Sequence, residues 1–130
     1  MTTESIWSIR VYYEDTDASA VAYHASYLRW FERARTEWLR GRGYSQETLR
    51  LDAGVAFTVS AIEIEYRKPA RLDDELEVRT RISELRRASL IFEQQICRHG
   101  SDELLTTAWV RVACVDAATF RPKGLPAGLL

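Results

Sequence analysis

The chain has 130 residues, enough for one domain and short for two. It is 46% hydrophobic and 28% charged, as in ordinary globular domains, and its net charge of −1 gives no field to gather nucleic acid or an anionic membrane. No run approaches the ~18 uninterrupted apolar residues of a membrane span, and MTTESIWSIR lacks the basic flank and apolar run of a secretory signal.

In chain order, Trp7–Tyr13 (WSIRVYY) reads as a first strand, β-branched and aromatic in partial alternation. Small and acidic residues make Glu14–Val21 a loop. From about Tyr23 to Arg42 the spacing predicts a helix: Tyr27, Phe31, Ala34 and Trp38 recur on one face, with Leu28, Arg35 and Leu39 beside them. Gly43 stops it. Ser45, Glu47 and Thr48 predict a short helical turn ending before Gly54.

The remainder is strand-rich. Within Ala56–Tyr66 the apolar residues shift from odd positions (Phe57, Val59, Ala61) to even ones (Ile62, Ile64, Tyr66), which predicts a bulge near Ser60–Ile62. Lys68–Asp74 is a turn. Glu75–Leu85 sets Leu76, Val78 and Ile82 against Glu77, Arg79 and Arg81. After a polar break at Arg86–Ser89, Leu90–Arg98 and Glu103–Val115 form a hairpin. From about Ala117 an irregular tail is expected on the surface.

In that hairpin opposed residues have numbers summing to about 201, so Cys97 faces Leu104 and Cys114 faces Arg87. The thiols are then on the order of 30 Å apart, beyond disulfide reach, as suits a reducing cytoplasm. The whole chain, 1–130, reads as one α+β domain, β-α-β-β-β-β, with an antiparallel sheet of about five strands wrapped around one long helix.

The chemistry concentrates between Asp15 and His24. A loop carboxylate beside a helix N-terminus supplies a base or nucleophile together with unsatisfied N–H groups for an oxyanion, the needs of carbonyl attack. The same Asp17 also serves as a helix-flanking cap, and a DxD pair can hold a divalent metal. With two histidines in the chain and no second acidic cluster nearby, no metal site is expected. A cation is disfavoured at a helix N-terminus, so His24 is expected neutral, bonding a carbonyl or orienting water. Glu32, two turns beyond His24 on a similar face, either pairs with Arg29 or Arg35 or borders the pocket.

The run YxDTDxxxxxYHxxYLxxFERAR, followed by EYRKPARLDD (Glu65–Asp74) and RRASLIF (Arg86–Phe92), resembles the hotdog-fold acyl-CoA thioesterases of the 4-hydroxybenzoyl-CoA thioesterase family, and within it the Tol-Pal-associated branch. The likeness covers roughly residues 7–120. It implies a hotdog fold and hydrolysis of acyl-CoA, with coenzyme A entering as part of the substrate and no separate cofactor. It matches Asp17 to the catalytic carboxylate, as general base or nucleophile, and His24 to the histidine at the helix start. Tyr13, Tyr23 and Tyr27 fall at oxyanion or pocket positions, with the amides near Tyr23 and His24 polarising the carbonyl. Arg86, Arg87 and Ser89 match a strand-edge segment that contacts coenzyme A, often across subunits. The resemblance further implies a cytoplasmic homotetramer built as a dimer of dimers. Enoyl-thioester hydration on the same fold, or a non-catalytic acyl-carrier scaffold, are the alternatives. One departure stands out: relatives carry glycine where this chain has Ser19 and Ala20, so either the loop is rebuilt or position 20 accepts alanine in the ordinary region.

Overall fold

In the structure, a computed structural model that describes residues 4–129, the alternating segments form β1 (Ser5–Arg10), β2 (Val55–Tyr66), β3 (Glu75–Leu85), β4 (Ser89–Arg98) and β5 (Leu104–Asp116). They pair antiparallel in the order β1-β3-β4-β5-β2, which leaves β1 and β2 as edges. Helix α1 (His24–Gly41) lies across one face, followed by α2 (Gln46–Thr48) and a wide helical turn, Leu49–Ala53. Gly54 ends that turn in the left-handed region. This is the arrangement the hotdog resemblance implies.

The helix buries Tyr27, Trp30, Phe31, Ala34, Trp38 and Leu39 against Leu76, Val78 and Ile82 of β3, Leu90, Phe92 and Ile96 of β4, and Val110 and Val112 of β5. The buried face is rotated slightly from the expected stripe: it includes Trp30 and leaves Leu28 exposed. One polar side chain sits inside this contact. Gln94 donates from Nε2 to the Phe31 carbonyl (3.0 Å) and Thr80 Oγ1 (2.9 Å), and its Oε1 accepts from Arg35 Nη1 (3.0 Å). Every polar atom of that amide is used, so burying it carries no orphan penalty and fixes the helix's position on the sheet.

Several boundaries differ from the sequence reading. β1 ends at Arg10, because the Asp15 carboxylate accepts the Tyr12 amide (2.9 Å) and folds Tyr13–Asp15 into a 3-10 turn. Tyr13 therefore lies in that turn and not in a strand. The expected bulge is present: pairing of β2 with β5 shifts between Val59 and Ala61. Cys97 pairs with Leu104 as expected, but the register slips beside it and the Cys114 amide bonds the Ala88 carbonyl (2.8 Å) in place of facing Arg87. Both thiols are free and buried.

The tail is irregular but not merely superficial. Lys123 and Leu125 donate backbone bonds to Cys114 (3.0 Å) and Arg87 (2.8 Å), and Leu129 is buried in the main core. Its apolar residues, spaced without a period, close the end of the sheet.

Candidate active site

The loop from Tyr12 to Tyr23 is assembled by its own backbone. Asp15 is 7% exposed, and its carbonyl accepts both the Tyr23 amide (2.8 Å) and Ser26 Oγ (2.9 Å). Its carboxylate, besides holding Tyr12, stands 4.0 Å from Arg29 Nη2. Asp15 is thus a brace between the loop and the first turn of α1. Thr16 bridges Ala22, and the Asp17 amide bonds the Val21 carbonyl (3.0 Å), so the chain doubles back tightly.

A strap from the PARLDD segment holds this hairpin from outside. The Ala22 amide bonds the Ala70 carbonyl (2.8 Å), Leu72 bonds the Ala20 carbonyl (3.3 Å), and Val21 bridges Arg71. The strap is fixed in turn by Arg98, which pairs with Asp74, with Glu103 (2.6 Å) and with the Pro69 carbonyl (3.2 Å). Those partners raise the guanidinium's pKa, Glu103 foremost, so it stays charged. Arg98 was missed in the sequence; the only signal for it was the acidic pair Asp73–Asp74 after the turn proline.

Asp17 is exposed, and its Oδ1 accepts the Ser19 amide (2.8 Å). Its other oxygen accepts no hydrogen bond among the described residues. The turn closes through the Ala20 amide to the Asp17 carbonyl (3.1 Å), and Ala20 has φ 62°, inside the left-handed region. Neither sequence alternative holds: the loop keeps a conformation suited to glycine and places alanine in it, at a cost of about 1–2 kcal/mol.

At the helix start the Tyr23 amide is taken by Asp15 and the Ser26 amide by the Tyr23 carbonyl (2.8 Å). The amides of His24 and Ala25 have no partner among the described residues, and no acidic side chain occupies the first turn. The pair of amides available for an oxyanion is therefore His24 and Ala25, not Tyr23 and His24. The His24 ring packs against Tyr23 at a tilt of 40°, with centroids 4.2 Å apart, and both are exposed. No hydrogen bond joins the Asp17 carboxylate to that ring among the described residues.

Beside His24 a shallow cavity of about 270 Å³ is bordered by Ala22, Tyr27, Tyr66 and Pro69. Tyr66 donates its hydroxyl to the His24 carbonyl (2.9 Å), and Tyr27 accepts the Ala70 amide (3.0 Å) while meeting Tyr66 edge-on at 5.1 Å. Burial pushes both phenols above their ordinary pKa, so they stay neutral. Tyr13 projects from the 3-10 turn, 83% exposed.

Further along the His24 face, at about 1.5 Å per residue, Glu32 lies roughly 12 Å away. Glu32, Arg35 and Gln46 border a cavity of about 110 Å³ whose walls include Leu39, Phe57, Leu90 and Phe92. Burial depresses the Arg35 pKa and Glu32 opposes the shift. Glu32 thus borders a cavity and also acts on the Arg35 charge.

The other predicted residues lie elsewhere. Arg86, Arg87 and Ser89 occupy the β3–β4 turn at the start of β4, whereas the strap and helix start adjoin its far end at Arg98. Ten residues of β4 separate them, roughly 30 Å. Arg86 pairs with Glu84 (2.7 Å), the Arg87 side chain has no partner among the described residues, and Arg86 and Ser89 border a third cavity with Trp109 and Arg111. One chain does not bring this group to Asp17. Among the described residues no group of three or more His, Cys, Asp or Glu gathers as a metal site, and no helix is long and apolar enough to cross a membrane.

Comparison with known proteins gives the chain its relatives. Residues 11–130 match the family model of the thioesterase-like superfamily. The chain is 48% identical over 129 residues to the acyl-CoA thioester hydrolase YbgC of Escherichia coli O6:H1, covering 99% of this chain and 95% of that protein. A probable thioesterase from Bartonella henselae has a similar solved structure, with TM-score 0.87 and 38% identity over 95% of this chain and 99% of that one. A mutant 4-hydroxybenzoyl CoA thioesterase complexed with 4-hydroxybenzoyl CoA superposes with TM-score 0.89 over 98% of this chain and 96% of that one; at 20% identity it shows the shared fold.

Proposed function

The chain belongs to the thioesterase-like superfamily and is an acyl-CoA thioester hydrolase; we propose that Asp17 is its base or nucleophile and that the His24 and Ala25 amides hold the oxyanion. One observation carries this reading: an exposed carboxylate with an unengaged oxygen sits in a loop tied by backbone hydrogen bonds to a helix start with two unpaired amides. Asp17 takes a proton from water, the hydroxide adds to the thioester carbonyl, and the negative oxygen meets N–H groups at the positive end of the helix. Collapse expels the coenzyme A thiolate, which takes up the proton. In the nucleophilic variant an Asp17 oxygen adds instead, thiolate leaves, and water opens the resulting anhydride. The His24 imidazole orients the water or the carbonyl. No group beyond substrate and water is required.

The substrate's nucleotide goes to Arg86, Arg87 and Ser89, whose guanidinium forks suit phosphates. Because those residues stand at the wrong end of the sheet, the site is shared between two copies. β2 is a twelve-residue edge strand with Val59, Ile62 and Tyr66 exposed along it. Such an edge invites pairing. Antiparallel pairing of two β2 edges brings the Arg86–Ser89 end of one subunit alongside the Asp17 end of the other. Two such dimers make the homotetramer, working in the cytoplasm where acyl-CoA is found.

The test is release of free thiol from a panel of acyl-CoA esters by the wild type and Asp17→Asn. The variant is expected to lose at least ~10²-fold in kcat. Near-wild-type turnover by Asp17→Asn would remove Asp17 from the chemistry. Single turnover in ¹⁸O-water tests the nucleophilic route, since label enters Asp17 only from an anhydride that water opens at the Asp17 carbonyl.

A further inference from the structure

The turn that carries Asp17 is strained at Ala20. A φ of 62° suits glycine, because an alanine Cβ crowds the neighbouring carbonyl in the left-handed region. Within the turn three bonds favour that shape. The Ala20 amide donates to the Asp17 carbonyl (3.1 Å), the Asp17 amide to the Val21 carbonyl (3.0 Å), and the Ser19 amide to Asp17 Oδ1 (2.8 Å). Residues 17–20 are all exposed, so water competes for these bonds and each contributes little net stability.

The strap supplies the rest, through the middle of the segment 69–74. The Ala70 carbonyl accepts the Ala22 amide (2.8 Å), Arg71 bridges Val21, and the Leu72 amide donates to the Ala20 carbonyl (3.3 Å). Arg98 grips both ends of that segment at once. Its Nη2 donates to the Pro69 carbonyl (3.2 Å), and its Nη1 to Asp74 Oδ2, which also accepts the Arg71 amide (2.8 Å). Its Nε donates to Glu103 Oε1 (2.6 Å), and its backbone, opposite Leu76, anchors the fork on the sheet. The strap keeps other ties, from the Ala70 amide to Tyr27 Oη (3.0 Å) and between Val11 and both Asp73 and Asp74 (2.9 Å each). Loss of Arg98 therefore loosens the strap without freeing it. The residues bordering the cavity beside His24 do not include Arg98, so its route to the reaction is the strap.

We propose that Arg98 is a positioning residue for the hydrolysis: through the strap it keeps Ala20 in the left-handed region and so holds the Asp17 carboxylate beside the helix start. The proposal rests on the reading that Asp17 performs the attack or activates the water. It links a side chain on β4 to a backbone angle in the turn after Asp17. Without the clamp, alanine relaxes out of the left-handed region and carries Asp17 away from the helix start. The Ala20→Gly turn keeps its shape, since glycine occupies that region without strain.

The experiment is a double-mutant cycle between positions 98 and 20, followed by thiol release from acyl-CoA. Arg98→Gln is expected to lower kcat about tenfold in the wild-type background, with KM unchanged, as for a misplaced catalytic group. In the Ala20→Gly background the same substitution should cost less than about twofold. Amide exchange at Ala22 and Leu72 reads the strap without any chemistry, and both should exchange faster in Arg98→Gln. Arg98→Lys keeps the charge but not the fork, and should show a smaller loss with the same dependence on position 20. It decides by the same criteria if Arg98→Gln does not fold. Equal losses of kcat in the two backgrounds, a rise in KM in place of the fall in kcat, or unchanged exchange at both amides each overturn the proposal. The two readings fail separately. Turnover kept by Asp17→Asn removes the carboxylate, whereas an Arg98 loss that ignores position 20 removes the positioning role and leaves the Asp17 result standing.

Discussion

Two aspartate-led turns stand at opposite ends of the sheet and look alike locally. In each, a carboxylate oxygen accepts the amide two residues ahead, and the turn ends on a residue other than glycine at φ 62°: Ala20 after Asp17, Phe120 after Asp116. They differ in what the carboxylate has left over. Asp116 takes two amides and stands 3.8 Å from Lys123, so it is committed to its own turn. Asp17 takes one amide, beside a helix start with unpaired N–H groups. Local turn chemistry alone does not separate the two; the neighbouring helix N-terminus does.

Neutralising each aspartate should separate the two turns most widely. Asparagine keeps an acceptor oxygen, so both turns persist. Asp17→Asn is expected to abolish turnover by at least ~10²-fold with an unchanged melting temperature, whereas Asp116→Asn changes kcat less than about twofold. Thiol release and thermal unfolding on the same preparations decide it. Equal losses in kcat would mean that both ends of the sheet act on the carbonyl.

Next in size is the nucleotide end. Arg86→Ala with Arg87→Ala should raise KM for acyl-CoA about tenfold, in line with loss of charge-assisted contacts, and leave KM for a short thioester lacking the nucleotide in place. An equal rise for both substrates would assign these residues to general folding or to the acyl end.

What was legible in advance follows the same division. The bulge at Ser60 and the Cys97–Leu104 pairing were readable because the two-residue period of a strand leaves a visible phase slip and a countable register. The end of β1 was not. Val11, Tyr12 and Tyr13 have strand-forming side chains, and the bonds of Asp15 to Tyr12, Tyr23 and Ser26 turn the chain there. At the site, Asp17 and His24 lie near one another in sequence and could be read together. The Arg98–Asp74–Glu103 cluster that fixes the strap joins three separate segments and has no local pattern. The loss of the Tyr23 amide as a candidate donor likewise depended on a bond to Asp15 that no spacing shows.

Ala20 and Phe120, both at positive φ, carry backbone strain of their own. Ala20→Gly relieves about 1–2 kcal/mol of backbone strain and gives back about 0.5–1 kcal/mol through the freer unfolded chain, a net gain below about 1.5 kcal/mol. The expected outcome is a melting temperature a few degrees higher with KM unchanged. Phe120→Gly should gain similarly in stability, since it has the same φ of 62°. If only one glycine variant gains, the strain is confined to that turn.

The smallest effect is electrostatic and concerns Asp116. The amides of Thr119 and Ala118, and more weakly Lys123, hold its carboxyl below the usual carboxylate range. A group whose folded pKa is depressed binds its proton more readily in the unfolded chain, so acid favours unfolding. Its stabilisation is complete above the unfolded value of about 4 and disappears as pH falls through the depressed folded value. Asparagine keeps an acceptor but has no proton to gain. The melting temperature of Asp116→Asn should therefore lie below wild type at pH 7, and the gap should narrow below about pH 4. Parallel curves through that range would show that the negative charge contributes nothing and that an acceptor oxygen alone holds the turn, leaving Asp116 with the same single bond type that Asp17 makes to Ser19.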